Sequence, residues 1–269
     1  MAEALDIHPR RCRSGGKKRV RKRLRIAFWV IVFSAPAILA VADRFSRRAA
    51  SVKVGARLVT VNVDTRPEQV AASLRVLDPD IVFMQETASS CGAAAALLGL
   101  QWLDGNDQCV LSRWPLKSHE VIWAGPWQAP QLLTIEHPAG HIIVVNVRLA
   151  IPEAVAALAT LGNQWYSERQ RRNQYPALWH LLSDRSPAIV CGDFNALPME
   201  VDFGDGLRDA WSGFRYGATF PARLPAARID QCWVSRSVVI ETSWTQSVPS
   251  DHRAVVFDAR ALGGRTRRP

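Results

Sequence analysis

The carboxylate of Asp193 and the carboxamide of Asn195 stand two residues apart in Cys191-Gly-Asp-Phe-Asn195, directly after the apolar run Pro187-Ala-Ile-Val190. On a continuing strand such residues point to the same side. One group can accept a proton or hold a metal, and the other can hydrogen-bond an anion. Together they suit phosphate-ester hydrolysis. The segment alone also reads as an Asx turn, because Gly, Asp and Asn form turns readily. Other polar residues fall in comparable places. Asn62 and Asp64 end one apolar stretch and Glu86 ends another. Asp230 lies in Arg228-Ile-Asp-Gln-Cys-Trp-Val234, while Asp251 and His252 open Asp251-His-Arg-Ala-Val-Val-Phe257. Taken singly, each has a bland reading as a turn cap or a satisfied core histidine. As a set, these carboxylates, amides and one imidazole exceed what turns require.

Positioning them requires many strands in one domain. Arg57-Leu-Val-Thr-Val-Asn-Val63 alternates and is β-branched, which predicts a strand. Val70, Leu74 and Leu77 have helical spacing over 67–77. Further strands are expected at 80–86, 108–112, 118–124, 131–136, 141–149, 187–193, 228–235, 238–246 and 253–259, and helices at about 152–161 and 165–183. Strands with a few intervening helices give an α/β or α+β sandwich. Beyond Ala93–Ala96, no low-complexity tract or internal repeat stands out.

The formal net charge of +10 suggests a nucleic-acid partner until its distribution is read. Residues 1–50 hold 13 of the 34 basic residues and 3 of the 24 acidic ones, which leaves 21 of each sign in residues 51–269. Three of those later basic residues, Arg265, Arg267 and Arg268, lie in a short C-terminal tail. The body is therefore slightly acidic, and its bulk charge gives phosphate-backbone binding no support. Nucleic acid is not the favoured partner.

The basic surplus flanks an apolar segment. Lys17-Lys-Arg-Val-Arg-Lys-Arg-Leu-Arg25 precedes Ile26 to Ala42, 17 residues without a charge. That length is near the lower limit for a membrane-spanning helix. The basic flank should remain cytoplasmic and place the rest outside. The expected organisation is a cytoplasmic tail (1–25), a transmembrane signal-anchor in the lipid bilayer (26–42), a linker (43–51), a catalytic domain (52–264) and a basic tail (265–269). A cleaved signal peptide ending near Ala42 competes, because Ala40-Val41-Ala42 has the small-x-small form of a cleavage site. A buried soluble helix is the third reading. For an exported body, Cys91, Cys109, Cys191 and Cys232 permit disulfides. Cys91–Cys109 is the first pair to test, whereas Cys191 and Cys232 also read as core residues.

The ordered motifs resemble the endonuclease/exonuclease/phosphatase superfamily, of a membrane-anchored bacterial type. The series runs through Thr60-Val-Asn-Val-Asp64, Pro79-Asp-Ile-Val-Phe-Met-Gln-Glu86, Leu111-Ser-Arg-Trp-Pro-Leu116, Arg171-x-x-Gln174, the Gly-Asp-Phe-Asn segment, Thr219-Phe-Pro221 with Arg228-Ile-Asp230, and Ser250-Asp-His252. The resemblance implies a four-layer α/β sandwich of two packed mixed sheets flanked by helices, with the site where the sheets meet. It implies Mg²⁺, with Mn²⁺ as the substitute, held chiefly by Glu86 with Asp64 and Asp251, and with Asn62 nearby. It implies that Asp193 orients or deprotonates the attacking water and that Asn195 holds a phosphate oxygen. His252 would stabilise the transition state or transfer a proton, with Asp230 fixing its tautomer. Asn62 and Arg148 would also face substrate.

Arg148, in Val144-Val-Asn-Val-Arg-Leu149, stands where the family commonly has His. An Arg can clamp phosphate but cannot act as an acid near neutral pH. Three functions stay open: a monomeric hydrolase of lipid-linked or small phosphorylated substrates, a secreted or surface-bound nuclease, and an inactive phosphate-ligand-binding domain. Trp123, Trp127 and Trp211 read either as core or as lipid contacts.

Overall fold

The alternating strand expected from Arg57 forms as β1 (Ala56–Asn62), and every one of its residues is buried. Ala56 and Leu58 face one core cluster. Val59 and Val61 face another. That two-sided burial fits a strand inside a layered structure. A computed structural model of the chain describes residues 55–88, 90–119, 129–149, 178, 182, 187–213 and 216–262. The expected anchor and linker, most of the two helices at 152–183, Arg171, Gln174, Trp123, Trp127 and the C-terminal tail lie outside the described residues. Among the described residues, no helix is long and apolar enough to cross a membrane.

After β1 come α1 (Pro67–Leu74), a 3₁₀ turn (Arg75–Leu77), β2 (Ile81–Gln85), α2 (Gly92–Leu98), β3 (Gln101–Asp104), β4 (Gln108–Ser112) and β5 (Leu116–His119). Then follow β6 (Gln131–His137), β7 (Gly140–Arg148), β8 (Ala188–Asp193), β9 (Leu207–Asp209), β10 (Asp230–Ser235), β11 (Val239–Gln246) and β12 (Ala254–Ala261). Sequence patterning foreshadows neither α2, β3 nor β9. Strand β3 is largely exposed, so it carries no buried alternation to read, and α2 was visible only as an alanine run.

Two six-stranded mixed sheets result. One has the order β11-β12-β1-β2-β4-β3, the other β5-β6-β7-β8-β10-β9. The pairs β1–β2 and β7–β8 are parallel, and the other neighbours are antiparallel. Leu58, Phe83, Val144, Ile189 and Phe257, drawn from both sheets, form the central core between them. Helices α1 and α2 cover the outer face of the first sheet through Val70, Leu74, Ala94 and Ala95. On the outer face of the second sheet, the helical residues Leu178 and Leu182 pack with Val145, Val190 and Phe203.

The motif Leu111-Ser-Arg-Trp-Pro closes the end of the first sheet where β2 begins. Arg113 there bonds Asp78 and Asp80. Asp80 also accepts from the Arg57 backbone, and the Arg57 guanidinium binds Asp258. Those residues join strand ends to one another and play no part in the chemistry proposed for the opposite pole.

Two disulfides cross-link the fold. Cys91–Cys109 joins the start of α2 to β4. Cys191–Cys232 joins directly opposed residues of β8 and β10. In the sequence the latter pair also reads as plain core. The strand register, which brings both side chains to one face, makes it a cross-link. Loops of 18 and 41 residues are closed. In the chain-entropy model they contribute about 3 and about 4 kcal/mol respectively. Reduction is expected to lower Tm by about 10 °C or more, and a scan with and without reductant checks it. An unchanged Tm, with thiols titratable in the folded protein, would contradict the two cross-links.

Candidate functional site

Along the inter-sheet face the side chains change from apolar to polar at one pole. In β1 the inward positions run Leu58, Thr60, Asn62; in β7, Val144, Asn146, Arg148; in β8, Ile189, Cys191, Asp193. Asn146 stitches the sheets together. Its Nδ2 donates to the carbonyls of Met84 (2.9 Å) and Cys109 (3.0 Å), and its Oδ1 accepts from Gln85 Nε2 (2.7 Å). Polar groups buried this deeply hold their place only when hydrogen-bonded, so this clamp fixes the mouth between the sheets.

Asp193 ends β8 opposite Asp230 of β10, one same-face step beyond the Cys191–Cys232 cross-link. Like charges directly opposed across strands repel, and here a covalent bond holds the strands together beside them. Gly192 is needed between Cys191 and Asp193: its φ is 152°, and a Cβ would lie 1.9 Å from the Val147 carbonyl oxygen. Asp193 is buried and accepts from the Asn195 backbone (2.9 Å), from Asn195 Nδ2 (3.3 Å) and from Asn62 Nδ2 (3.2 Å). Burial, reinforced by the charge of Asp230, pushes its carboxyl up to about 7 despite those donors and His252.

His252 lies across from it. Its Nδ1 donates to Asp230 Oδ2 at 2.8 Å, and Phe220 lies 4.8 Å from the ring. Ser250 fixes the loop: its hydroxyl donates to the Asn62 carbonyl (2.7 Å) and accepts from the His252 backbone (3.1 Å). Thr219 Oγ1 accepts from the backbone of Asp230 at 3.3 Å. Burial pulls the imidazole down, but the charge and hydrogen bond of Asp230, with Asp193 and Asp251, outweigh it and hold His252 at about 10. The ring is therefore an imidazolium near neutral pH. Nε2 has no partner among the described residues, which leaves that N–H for a substrate oxygen. Asp193, Asp230 and His252 place ligand atoms within 4.8 Å of one another. The bond between Nδ1 and Asp230 makes the trio a proton-carrying pair beside a base.

Glu86 follows β2 with φ 56°, and Asp64 and Asn195 are left-handed as well, each at 47°. Such strain persists where the surroundings over-determine it, and it clusters at functional sites. Glu86 Oε1 accepts from Asn62 (2.8 Å) and from Arg148 (2.5 Å). Its Oε2 has no hydrogen bond among the described residues. Asp64 pairs with Arg66 at 3.0 Å, and Asp251 is exposed. Glu86, Asp64 and Asp251 share this pole but do not converge to within 4.8 Å as a trio. The residues still fit a hard divalent cation: the donors are all oxygens, and Glu86 keeps one oxygen clear.

One placement differs from expectation. Asn195 does not present its amide outward, because Nδ2 donates to the Leu149 carbonyl (2.9 Å) and to Asp193. It braces the base, and the Asx turn closed by the Asn195 backbone N–H on Asp193 is real. Trp211 packs on the central core under the Arg228 guanidinium, which is the core reading. Sequence reasoning missed Asp107, which accepts from Arg148 at 3.2 Å and from the Ala88 backbone at 2.7 Å. Its segment Gly105-Asn-Asp-Gln108 reads as an ordinary turn.

The model of the Endonuclease/Exonuclease/phosphatase family matches residues 59–252. No curated protein matches the chain in sequence. Among solved structures, the 3′ phosphatase NExo from Neisseria bound to a product DNA hairpin is similar at 17% identity and TM-score 0.59, covering 76% of this chain and 99% of that one. Truncated TDP2 from Caenorhabditis elegans is similar at 20% identity and TM-score 0.58, covering 76% and 98%. A family protein from Leptotrichia buccalis C-1013-b is similar at 14% identity and TM-score 0.57, covering 76% and 99%. These likenesses show the fold. The match over residues 59–252 shows the family: the chain is a member of the endonuclease/exonuclease/phosphatase family of phosphoester hydrolases.

Proposed function

We propose that the protein is a divalent-cation-dependent phosphoester hydrolase acting outside the cytoplasm on a lipid-linked or small phosphorylated substrate. The observation that carries the chemistry is one hydrogen-bonded arrangement. Asn62 bridges Glu86 and Asp193, and the Asp230–His252 pair faces Asp193 across the strand register. Two titratable groups whose environments set their protonation differently mark base and acid roles. Asp193, held near 7, suits removal of a proton from water. His252, kept cationic by Asp230, suits donation from Nε2 to a developing phosphoryl charge. Glu86, with Asn62, Asp64 and Asp251 nearby, would hold Mg²⁺ or Mn²⁺, which when bound screens charge on the phosphoryl oxygens and leaving group. Asn62 and Ser250 keep these groups in register.

The two disulfides support an oxidising compartment. The basic flank and apolar stretch of residues 17–42 support an anchor with the catalytic domain outside, or a signal cleaved near Ala42. The balanced charge of residues 51–269 supports a substrate other than nucleic acid. A nuclease is the second reading, favoured by the likeness to NExo, whose structure holds a DNA hairpin. The test is a panel of a polyprenyl diphosphate, a phospholipid, small phosphomonoesters and plasmid DNA, offered with Mg²⁺ to the full-length chain in detergent. Phosphate release from the lipid-linked members with intact plasmid is expected. Nicking that disappears in His252→Ala would establish the nuclease instead.

Activity should also depend on pH. Asp193 works as the carboxylate, and its folded value lies near 7. Without added cation-binding strength, the acid limb of kcat/KM belongs near that value, and saturating cation moves it lower by favouring the charged form. A profile flat from pH 5 to 8 would remove Asp193 from the role of base.

A further inference from the structure

We infer that Arg148 couples binding of the cation to binding of the phosphoryl group by alternating between Glu86 and the substrate, with Asp107 as its fixed support. The inference rests on the proposed cation site at Glu86. Arg148 is the residue that departs from the family pattern, and the structure gives its two terminal nitrogens separate carboxylates. Nη2 donates to Glu86 Oε1 at 2.5 Å, and Nη1 donates to Asp107 Oδ2 at 3.2 Å. The guanidinium is a quarter exposed, so it borders the open mouth of the site. Asp107 in turn is held by the Ala88 backbone N–H on its other oxygen. Arg148 thus has one rigid partner and one partner whose carboxylate the chemistry needs.

These contacts set the sign of the coupling. A divalent cation on the clear Oε2 of Glu86 draws charge from the carboxylate and repels the guanidinium on Oε1, so its arrival weakens the hold of Glu86 on Arg148. Asp107 keeps it beside the site, and the freed arm of its planar fork is then available to a phosphate oxygen. The reverse follows by linkage: a phosphate that draws Arg148 away leaves Glu86 open to the cation. The same guanidinium therefore opposes the cation when phosphate is absent and favours the pair when both are present.

The test is calorimetric titration of the full-length protein in detergent with MgCl₂, with and without inorganic phosphate, for wild type, Arg148→Met and Glu86→Ala. For wild type, phosphate should tighten the Mg²⁺ Kd by about five- to tenfold, in the usual range of coupling. Arg148→Met should bind Mg²⁺ alone several-fold more tightly than wild type, and phosphate should then add at most about twofold. Asp107→Asn should weaken Mg²⁺ binding by releasing Arg148 onto Glu86. Equal Mg²⁺ affinities in wild type and Arg148→Met, or phosphate coupling preserved in Arg148→Met, would overturn the inference while leaving the cation site standing. Absence of Mg²⁺ binding to wild type and Glu86→Ala alike would overturn both.

Discussion

Asp193→Asn is expected to lower kcat/KM for phosphoester hydrolysis by about a thousandfold or more, the order lost when an essential acid–base group goes. The same substitution should shift stability in the variant's favour as pH rises. Asp193 is buried opposite Asp230, and its folded value of about 7 lies above the ordinary 3.8. A group raised in the fold contributes stability below its ordinary value and loses that contribution as pH rises through the folded value. Wild type therefore sheds stability from this residue between about pH 4 and pH 7, and the amide does not. Unfolding curves for the two proteins at pH 4 and pH 8 check it. Their difference should move toward the variant by a few kcal/mol across that interval. A difference that stays constant while activity falls would separate catalysis from the proposed electrostatics. An active variant would dismiss Asp193 as the base.

His252→Ala is expected to cost about a thousandfold in rate, and Asp230→Asn about a hundredfold. The double variant should be no slower than His252→Ala, because groups that act as a unit are not additive. Additive losses would mean that Asp230 acts independently of the ring. Stability again supplies a second readout. His252 is raised to about 10 from 6.5, with burial opposing and Asp230 leading the groups that raise it. Its ion pair therefore stabilises the fold fully below about pH 6.5, and the contribution fades as pH climbs through about 10. The deficit of His252→Ala should be largest in the acid range and should shrink toward pH 10. Phe220 beside the ring and Ser250 beneath its backbone keep the loop in place, so the variant should fold.

Much of this pole is legible in the amino-acid order because strand patterning carries it. Residues two apart share a face, so the apolar alternation of β1, β7 and β8 runs directly into Asn62, Arg148 and Asp193. The ends of β7 and β8 coincide because that pair is parallel, and the packing of the sheets brings the end of β1 beside them, where Asn62 meets Asp193. What patterning does not encode is the partner across the sheets. Nothing local joins Asp107 to Arg148, 41 residues apart, or Asn146 to the carbonyls of Met84 and Cys109. The Cys191–Cys232 bond likewise depends on the β8–β10 register, and two cysteines in apolar strands look the same whether bonded or packed. Asn195 shows how the two readings of one motif merge. The turn is real, and it is the turn that sets the base in place. Ser250 is marked in the sequence by its place two positions before His252 in Ser250-Asp-His252, but its acceptor is the carbonyl of Asn62, 188 residues away.

Steady-state phosphate release from the best substrate of the panel, followed in wild type and Glu86→Ala with MgCl₂ and with EDTA, tests the central claim most directly. Turnover in wild type with Mg²⁺, its loss in EDTA, its return on adding back Mg²⁺, and a fall of about a thousandfold in Glu86→Ala at saturating substrate are predicted. Turnover that persists in EDTA, or a Glu86→Ala protein as active as wild type, would contradict a cation-dependent site at this pole.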